Sequence, residues 1–406
     1  MILKCEVQCE LDFKQYENIV ERLQVSEAEQ DFCVSRKYAK NGFLRICAGC
    51  VKKTFVPKSK KKRRSIPHIS IVYYYLVITM DPAHVLTGAN DPLALFDPGQ
   101  YRQLVGAFDQ LITEILGSHL PSLDEWTTRA VDYATDLPAN DLDNSVTVLQ
   151  YMDLFRQGLA PERMIEKIQL TDHYAIYNGS VMLRCYPLQN ELRVHGCKDS
   201  ESLAQAETLV RMEVRCQRRK LAVIAKRYGY RHRLTSFFLG KRLDLVILRA
   251  YAKKVFVGDD YYSVRQAVRR LDDCKTLHSR SRSGCRDMLQ AIERIGGLTK
   301  ARAKWNHPKD NTIAVRIKDK RTNVWMRDYQ LRRRLEQLHQ AGINPVPIPV
   351  GWKIGHINNP FGSFLQQLEL WQVKDLPKLP PKIKKSANKV CGSENEEYFE
   401  EELLAF

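Results

Sequence analysis

Three short segments carry residue types that could do phosphoryl chemistry. In Val181-Met182-Leu183-Arg184-Cys185-Tyr186 the alternation suits a strand, whose successive side chains point to opposite faces. Val181, Leu183 and Cys185 then share one face, and Met182, Arg184 and Tyr186 the other. Leu209–Cys216 repeats the pattern more cleanly: Val210, Met212, Val214 and Cys216 form a core face, and Arg211, Glu213 and Arg215 share the opposite one. The third segment is Val131-Asp132-Tyr133, just after Arg129. Aspartate is uncommon inside strands, so Asp132 calls for an arginine, a backbone cap or a metal. Asp136 is expected in the turn that follows.

A phenol, two strand-borne carboxylates and several arginines are the parts that phosphoryl transfer to a tyrosine requires. The tyrosine would form the covalent bond. A hard divalent cation, Mg2+ or Mn2+, would take carboxylate oxygens. It would polarise the phosphate while arginines neutralise the developing charge. Each part also has a structural reading. A carboxylate between two arginines on one strand face is what a cross-strand salt bridge looks like. A tyrosine on a half-buried strand can simply hydrogen-bond through its hydroxyl. Tyr177, at the other end of the same hairpin region, is the rival phenol.

The elements that must position these residues interleave. Ile2–Leu11, Phe43–Cys47, Ile69–Met80, Thr128–Ala134, Ser180–Tyr186 and Leu209–Cys216 read as strands. A helix from Pro98 to Leu116 keeps Leu104, Phe108, Leu111, Ile112 and Ile115 on one face and stops at Gly117. Asp143 or Asn144 is expected to cap a helix through Val148, Leu149, Met152 and Phe155 that ends at Gly158. A basic helix, Arg218–Tyr228, closes at Gly229. The expectation is an α+β fold: a first domain over 1–228, then a mainly helical domain over 229–375. The clearest helices there are Ser263–Leu271, Cys285–Ile295 and Asp328–Ala341. Its basic cluster (Lys300, Arg302, Lys304) and Arg332–Arg334 suggest further DNA or helicase contacts. The Pro/Lys-rich and acidic tail, 376–406, reads as disordered.

Composition narrows the partner. The chain has 406 residues, 64 Lys and Arg against 47 Asp and Glu, and a net charge of +17. Such an excess favours a polyanion, nucleic acid first and an anionic membrane surface second. Lys60, Lys61, Lys62, Arg63 and Arg64 lie in a run between Pro57 and Pro67 that reads as a solvated loop able to grip phosphates. No stretch reaches the roughly 18–20 apolar residues of a membrane span. Of eleven cysteines, Cys47 and Cys50 form a C-x-x-C pair, with Cys5 and Cys9 as further possible zinc thiolates. No signal peptide is evident, so a reducing cytoplasm is expected.

Four motifs in order resemble the gene II/gene X replication initiators of filamentous phages and their plasmid relatives. Val77–Gly88 looks like the family's strand and "SPxKVLxG" turn, and Ala130-Val131-Asp132-Tyr133 like its "RID" strand. Tyr186-Pro187-Leu188-Gln189-Asn190-Glu191-Leu192 is similar to its "Y-x-K-x-x-E-L" segment, and Leu209–Arg215 to its "LVRxExR" strand. Gly342–Pro349 looks like a segment of elements from Gram-positive bacteria. The resemblance implies an antiparallel-sheet nicking domain and Tyr186 as nucleophile. It puts metal carboxylates at Asp132 and Glu213, with Glu191 as a further one. Arg129, Arg184, Arg211 and Arg215 would then serve DNA. It further implies rolling-circle initiation in a bacterial cytoplasm: a nick at an origin, a 5′-phosphotyrosine, a 3′-OH primer, and host helicase and polymerase as partners. A non-catalytic origin-binding regulator and a relaxase-like mobilisation nuclease are the alternatives. The sequence departs from the family in three places. Leu188 replaces a lysine, Ala130 stands where the family arginine falls, and His84 occupies a common lysine position. With no H-x-H pair among ten histidines, a metal site would be carboxylate-rich or would recruit a distant histidine such as His173.

Overall fold

Ile2–Leu11 (β1) buries Ile2, Cys5, Val7, Cys9 and Leu11 and leaves Glu6, Gln8 and Glu10 less covered, the period-two signature of a strand on a core. The computed structural model describes residues 1–23, 32–35, 37–55, 69–117, 120–139, 146–158, 165–166, 173–255, 259–305, 312–317, 320–325, 328–362 and 364–365. The basic run 60–64, the tail 376–406 and the expected cap at 143–144 lie outside them.

The other strands are β2 (Phe32–Ser35), β3 (Phe43–Phe55), β4 (Ile69–Met80), β5 (Thr127–Pro138), β6 (Ile165–Glu166), β7 (Tyr174–Tyr177), β8 (Val181–Pro187) and β9 (Leu209–Gln217). Four short ones follow: β10 (Tyr261–Tyr262), β11 (Thr312–Ile317), β12 (Lys320–Trp325) and β13 (His356–Ile357). The helices are α1 (Phe13–Leu23), α2 (Pro82–Thr87), α3 (Tyr101–Leu116), α4 (Val148–Gln157), α5 (Leu188–Val194), α6 (Ser200–Gln205) and α7 (Arg218–Arg227). Then come α8 (Thr235–Gly240), α9 (Leu243–Val255), α10 (Val264–Asp273), α11 (Ser279–Ile295), α12 (Leu298–Trp305) and α13 (Asp328–Gln340). The fold is α+β.

Two compact units divide the chain, and neither is continuous in sequence. Among the described residues one comprises those within Met1–Ala134 and Arg215–Val246, the other those within Thr135–Val214 and from Ile247 onward. Strands β5 and β9 each contribute residues to both.

In the first unit the strand order is β2-β3-β4-β1-β5. Consecutive members of that order pair antiparallel, with Cys5 opposite Met80 on β4 and opposite Val131 on β5. Helix α3 buries Tyr101, Leu104, Phe108, Ile112 and Leu116, and the Phe108 ring meets Phe43 and Trp126 edge-on at 5.5 and 5.2 Å. Gly117 closes it in the left-handed region, φ 60°. Asp81 caps α2 by accepting from the Ala83 and His84 amides.

In the second unit β9, β8, β7 and β6 follow in order. The β7–β8 hairpin turns on Asn178, whose side-chain oxygen accepts from the Ser180 and Val181 amides at 2.9 and 2.8 Å. Helix α4 is capped by Thr147 rather than by Asp143 or Asn144. Thr147 Oγ1 accepts from the Gln150 amide while Gln150 Oε1 accepts from the Thr147 amide, and this reciprocal box fixes the start. The region expected to be mainly helical also holds a hairpin, β11 with β12, in which Thr312-Ile313-Ala314-Val315 supplies β-branched residues. The Gly342–Pro349 segment is packed, with Ile343, Val346 and Ile348 buried.

The cysteines do not form the zinc set that their spacing allowed. Cys47 is disulfide-bonded. Cys50 is a free, exposed thiol, and Cys5 and Cys9 are buried in the sheet. No described helix is long and apolar enough to cross a membrane.

Candidate active site

The site is built on β8, β9 and the residues flanking them in the second unit. On β8 the alternation holds: Val181, Leu183 and Cys185 are buried on the core face, and Arg184 lies on the other with Tyr186. Across the hairpin, Ala175 stands opposite Arg184 and Tyr174 opposite Cys185. On β9 both faces are covered. Arg211 and Glu213 are each only 2% exposed, as deep as the core residues Val210, Met212 and Val214.

Tyr186 and Glu213 meet. The Tyr186 hydroxyl donates to Glu213 Oε1. The other carboxylate oxygen, Oε2, accepts from Arg184 Nε at 3.0 Å and from its Nη2. The Arg184 guanidinium also lies 5.3 Å from the Tyr186 ring centre. Tyr186 is 2% exposed. Burial, and then the Glu213 charge, push its phenol well above the ordinary value; Arg211 and Arg184 pull the other way. The resting hydroxyl is therefore protonated and aimed at a carboxylate that can accept its proton.

Strand β8 runs directly into α5, so the residues that follow Tyr186 turn back over the site. Glu191 is held between two histidines: His173 Nε2 lies 3.0 Å from Oε2, and His195 Nε2 lies 3.2 Å from Oε1. The hydrogen bond to His173 is the chief cause that draws the Glu191 carboxyl down to about 2. The His173 ring lies against Tyr186, centroids 5.3 Å apart. Leu188, where the resemblance expects lysine, is buried at the first residue of α5. An ammonium at that position would lose its hydration.

The four arginines that the resemblance assigns to DNA, Arg129, Arg184, Arg211 and Arg215, are each paired with a carboxylate. Arg211 grips Asp136 in a two-pronged bond, Nε to Oδ1 at 2.6 Å and Nη2 to Oδ2 at 2.8 Å. Asp136 thus lies within β5 and not in a turn, because the strand continues to Pro138. In the first unit Arg215 Nη1 is 3.1 Å from Asp132 Oδ2, and Arg129 Nε is 3.0 Å from Glu6 Oε1. Tyr177 shares the polar face of its hairpin but pairs with Met182, four residues from Tyr186.

As arranged, the donors do not fit a shared cation. Both oxygens of Glu213 serve Tyr186 and Arg184, and both of Glu191 serve histidines. Among the described residues no group of three or more His, Cys, Asp or Glu side chains stands ready to hold a metal ion.

His173 was reachable from the sequence only as a distant option. The signal was local: Tyr174 and Ile176 are buried on one face of β7, which puts His173 with the opposite set. Set against family models, curated proteins and solved structures, the chain matches none.

Proposed function

We propose that the protein nicks and rejoins DNA through Tyr186, as a rolling-circle replication initiator acting on origin DNA in a bacterial cytoplasm with host helicase and polymerase. The observation that carries this reading is the Tyr186 hydroxyl donating to Glu213 beneath Arg184. The four-motif resemblance supplies the substrate class, and the +17 charge suits it.

In the proposed step Tyr186 Oη attacks the scissile phosphorus and its proton passes to Glu213. The bond from phosphorus to the 3′-oxygen breaks. That oxygen leaves with the electron pair, takes up a proton and becomes the 3′-OH primer. The 5′-phosphate stays on Tyr186 as a phosphodiester, and the reverse attack by a 3′-OH rejoins the strand. Arg184, bound to the same carboxylate, would neutralise charge on the transferring phosphoryl group. His173 and Glu191 would hold the phenol's ring in place.

The burial of Tyr186 favours a second reading, a regulator that occupies an origin without cutting it. One experiment separates the two. Purified protein is mixed with supercoiled plasmid carrying the element's own origin, in Mg2+, in Mn2+ and in EDTA. Nicked circles and an SDS-resistant protein–DNA adduct, both absent in Tyr186→Phe, are expected. Origin binding without a nick in any buffer would establish the regulator instead. An adduct that survives in Tyr186→Phe would move the nucleophile elsewhere, with Tyr177 tested next.

A further inference from the structure

Helix α7 and the loop after it form a second basic feature, in the first unit. A cleft of about 440 Å3 is lined by Ala222, Ala225, Lys226, Tyr230, Arg231 and Arg233, with Gly229 at its turn. Among the described residues no carboxylate lines it. Arg218, Ala222 and Lys226 recur every four residues and are all exposed, so they make one solvent-facing stripe along α7 that leads to the cleft. Arg231 is exposed as well. Arg233 is fixed by donating from Nε to the Thr128 carbonyl at 2.9 Å. Burial lowers its pKa, and the positive charges of Arg218 and Arg129 lower it further. Of these, Arg129 is neutralised by Glu6. Like charges gathered this closely repel one another, and an anion among them would relieve the cost. Tyr230 adds an aromatic face, its ring 4.4 Å from that of Phe237 and tilted by 34°.

We infer that this cleft binds the sugar-phosphate backbone of DNA, with Lys226, Arg231 and Arg233 on phosphates and Tyr230 beside a base or sugar. Cations along a groove with an interleaved aromatic are the sequence-tolerant mode of strand binding. An anionic membrane is the poorer match, because among the described lining residues the apolar side chains are two alanines and one tyrosine ring, too little to insert into a bilayer. The inference deepens the nicking reading by adding a site for the strand outside the catalytic residues, yet it stands on this cleft alone.

The test is fluorescence anisotropy with a labelled single-stranded deoxyoligonucleotide of arbitrary sequence, titrated at several salt concentrations in EDTA. The full-length chain is compared with the double variant Lys226→Ala/Arg231→Ala, and with Lys14→Ala/Lys198→Ala as a control of equal charge. All four residues are exposed, and circular dichroism checks that each variant is folded. Two lost phosphate contacts should flatten the slope of log K against log salt by about 1.4 in the cleft variant, and the control should keep the parent slope. Equal slopes in the parent and cleft variant would overturn the inference, as would an equal change in both variants. Loss of binding to phosphatidylserine vesicles with an unchanged DNA slope would also overturn it, in favour of a membrane. Because no cleavage is scored, a flattened slope with no covalent adduct would leave this site standing while the nicking reading failed.

Discussion

At the scale of single residues, the arrangement turns on Glu213, one carboxylate serving a phenol and a guanidinium. Glu213→Gln keeps the shape and one acceptor oxygen but removes the proposed base. Nicking by this variant is expected to fall by about 10²–10⁴, the usual contribution of a positioned proton acceptor, with DNA affinity retained. Single-turnover cleavage alongside a binding titration checks it. Retained cleavage would make the Tyr186–Glu213 bond merely structural. Glu191 gives a pH prediction. Its carboxyl is drawn down to about 2 in the folded chain, chiefly by His173, and would sit near about 4.3 when unfolded. The unfolded state therefore binds a proton first as acid is added. The stabilisation is fully present above the unfolded value and is lost as pH falls through the folded one. Glu191→Gln should accordingly show a shallower loss of stability between about pH 4.3 and 2 than the parent, read as urea midpoints across that range.

At the scale of elements, alternation made the strands legible. β1 and β4 are found at the predicted bounds, and β8 and β9 within one residue. The faces of β8 follow from the same rule. Other features depended on contacts remote in sequence. Asp136 lies in β5, where its partner Arg211 is 75 residues away in sequence. Helix α1 is short, and only Ile19 and Leu23 are buried, too few to mark a face in a polar stretch. The pairing of Tyr186 with Glu213 crosses two strands, whereas the sequence could show only that each residue lay on a polar face. One junction carries a sharp prediction. Gly42, φ +83°, ends the turn into β3, and its carbonyl accepts from the Asp81 amide ahead of α2. An added Cβ would sit 2.7 Å from the Val85 backbone nitrogen. Gly42→Ala should therefore destabilise the protein by at least about 1 kcal/mol, through both left-handed strain and that clash. Thermal or denaturant melting measures it, and an unchanged midpoint would contradict it.

At the scale of the whole molecule, the sheet residues at the start of the chain share a unit with Arg215–Val246. Within that unit Arg233 and Thr128 exchange bonds: the Thr128 amide donates to the Arg233 carbonyl at 2.7 Å, and Arg233 Nε returns one to the Thr128 carbonyl. Thr235 adds its amide to the Trp126 carbonyl and accepts from the Tyr101 hydroxyl at 3.1 Å. A fragment ending at residue 228 would lose all of these and leave the Trp126 carbonyl short of its partner. It is expected to aggregate or to melt without a cooperative transition, while the full chain melts cooperatively. Calorimetry of the two polypeptides decides it, and a sharp, reversible melt of the fragment would show that the segment is dispensable.

The depth of Tyr186 also bears on how the nucleophile proposed above would survive between encounters with DNA. A phenol that stays protonated and out of water is inert toward the stray electrophiles of a cell, and toward sulfonyl fluorides that capture ionised tyrosines on surfaces. Reactivity of this kind is conditional: only a ligand that opens the pocket and brings its own phosphorus to the oxygen would awaken it.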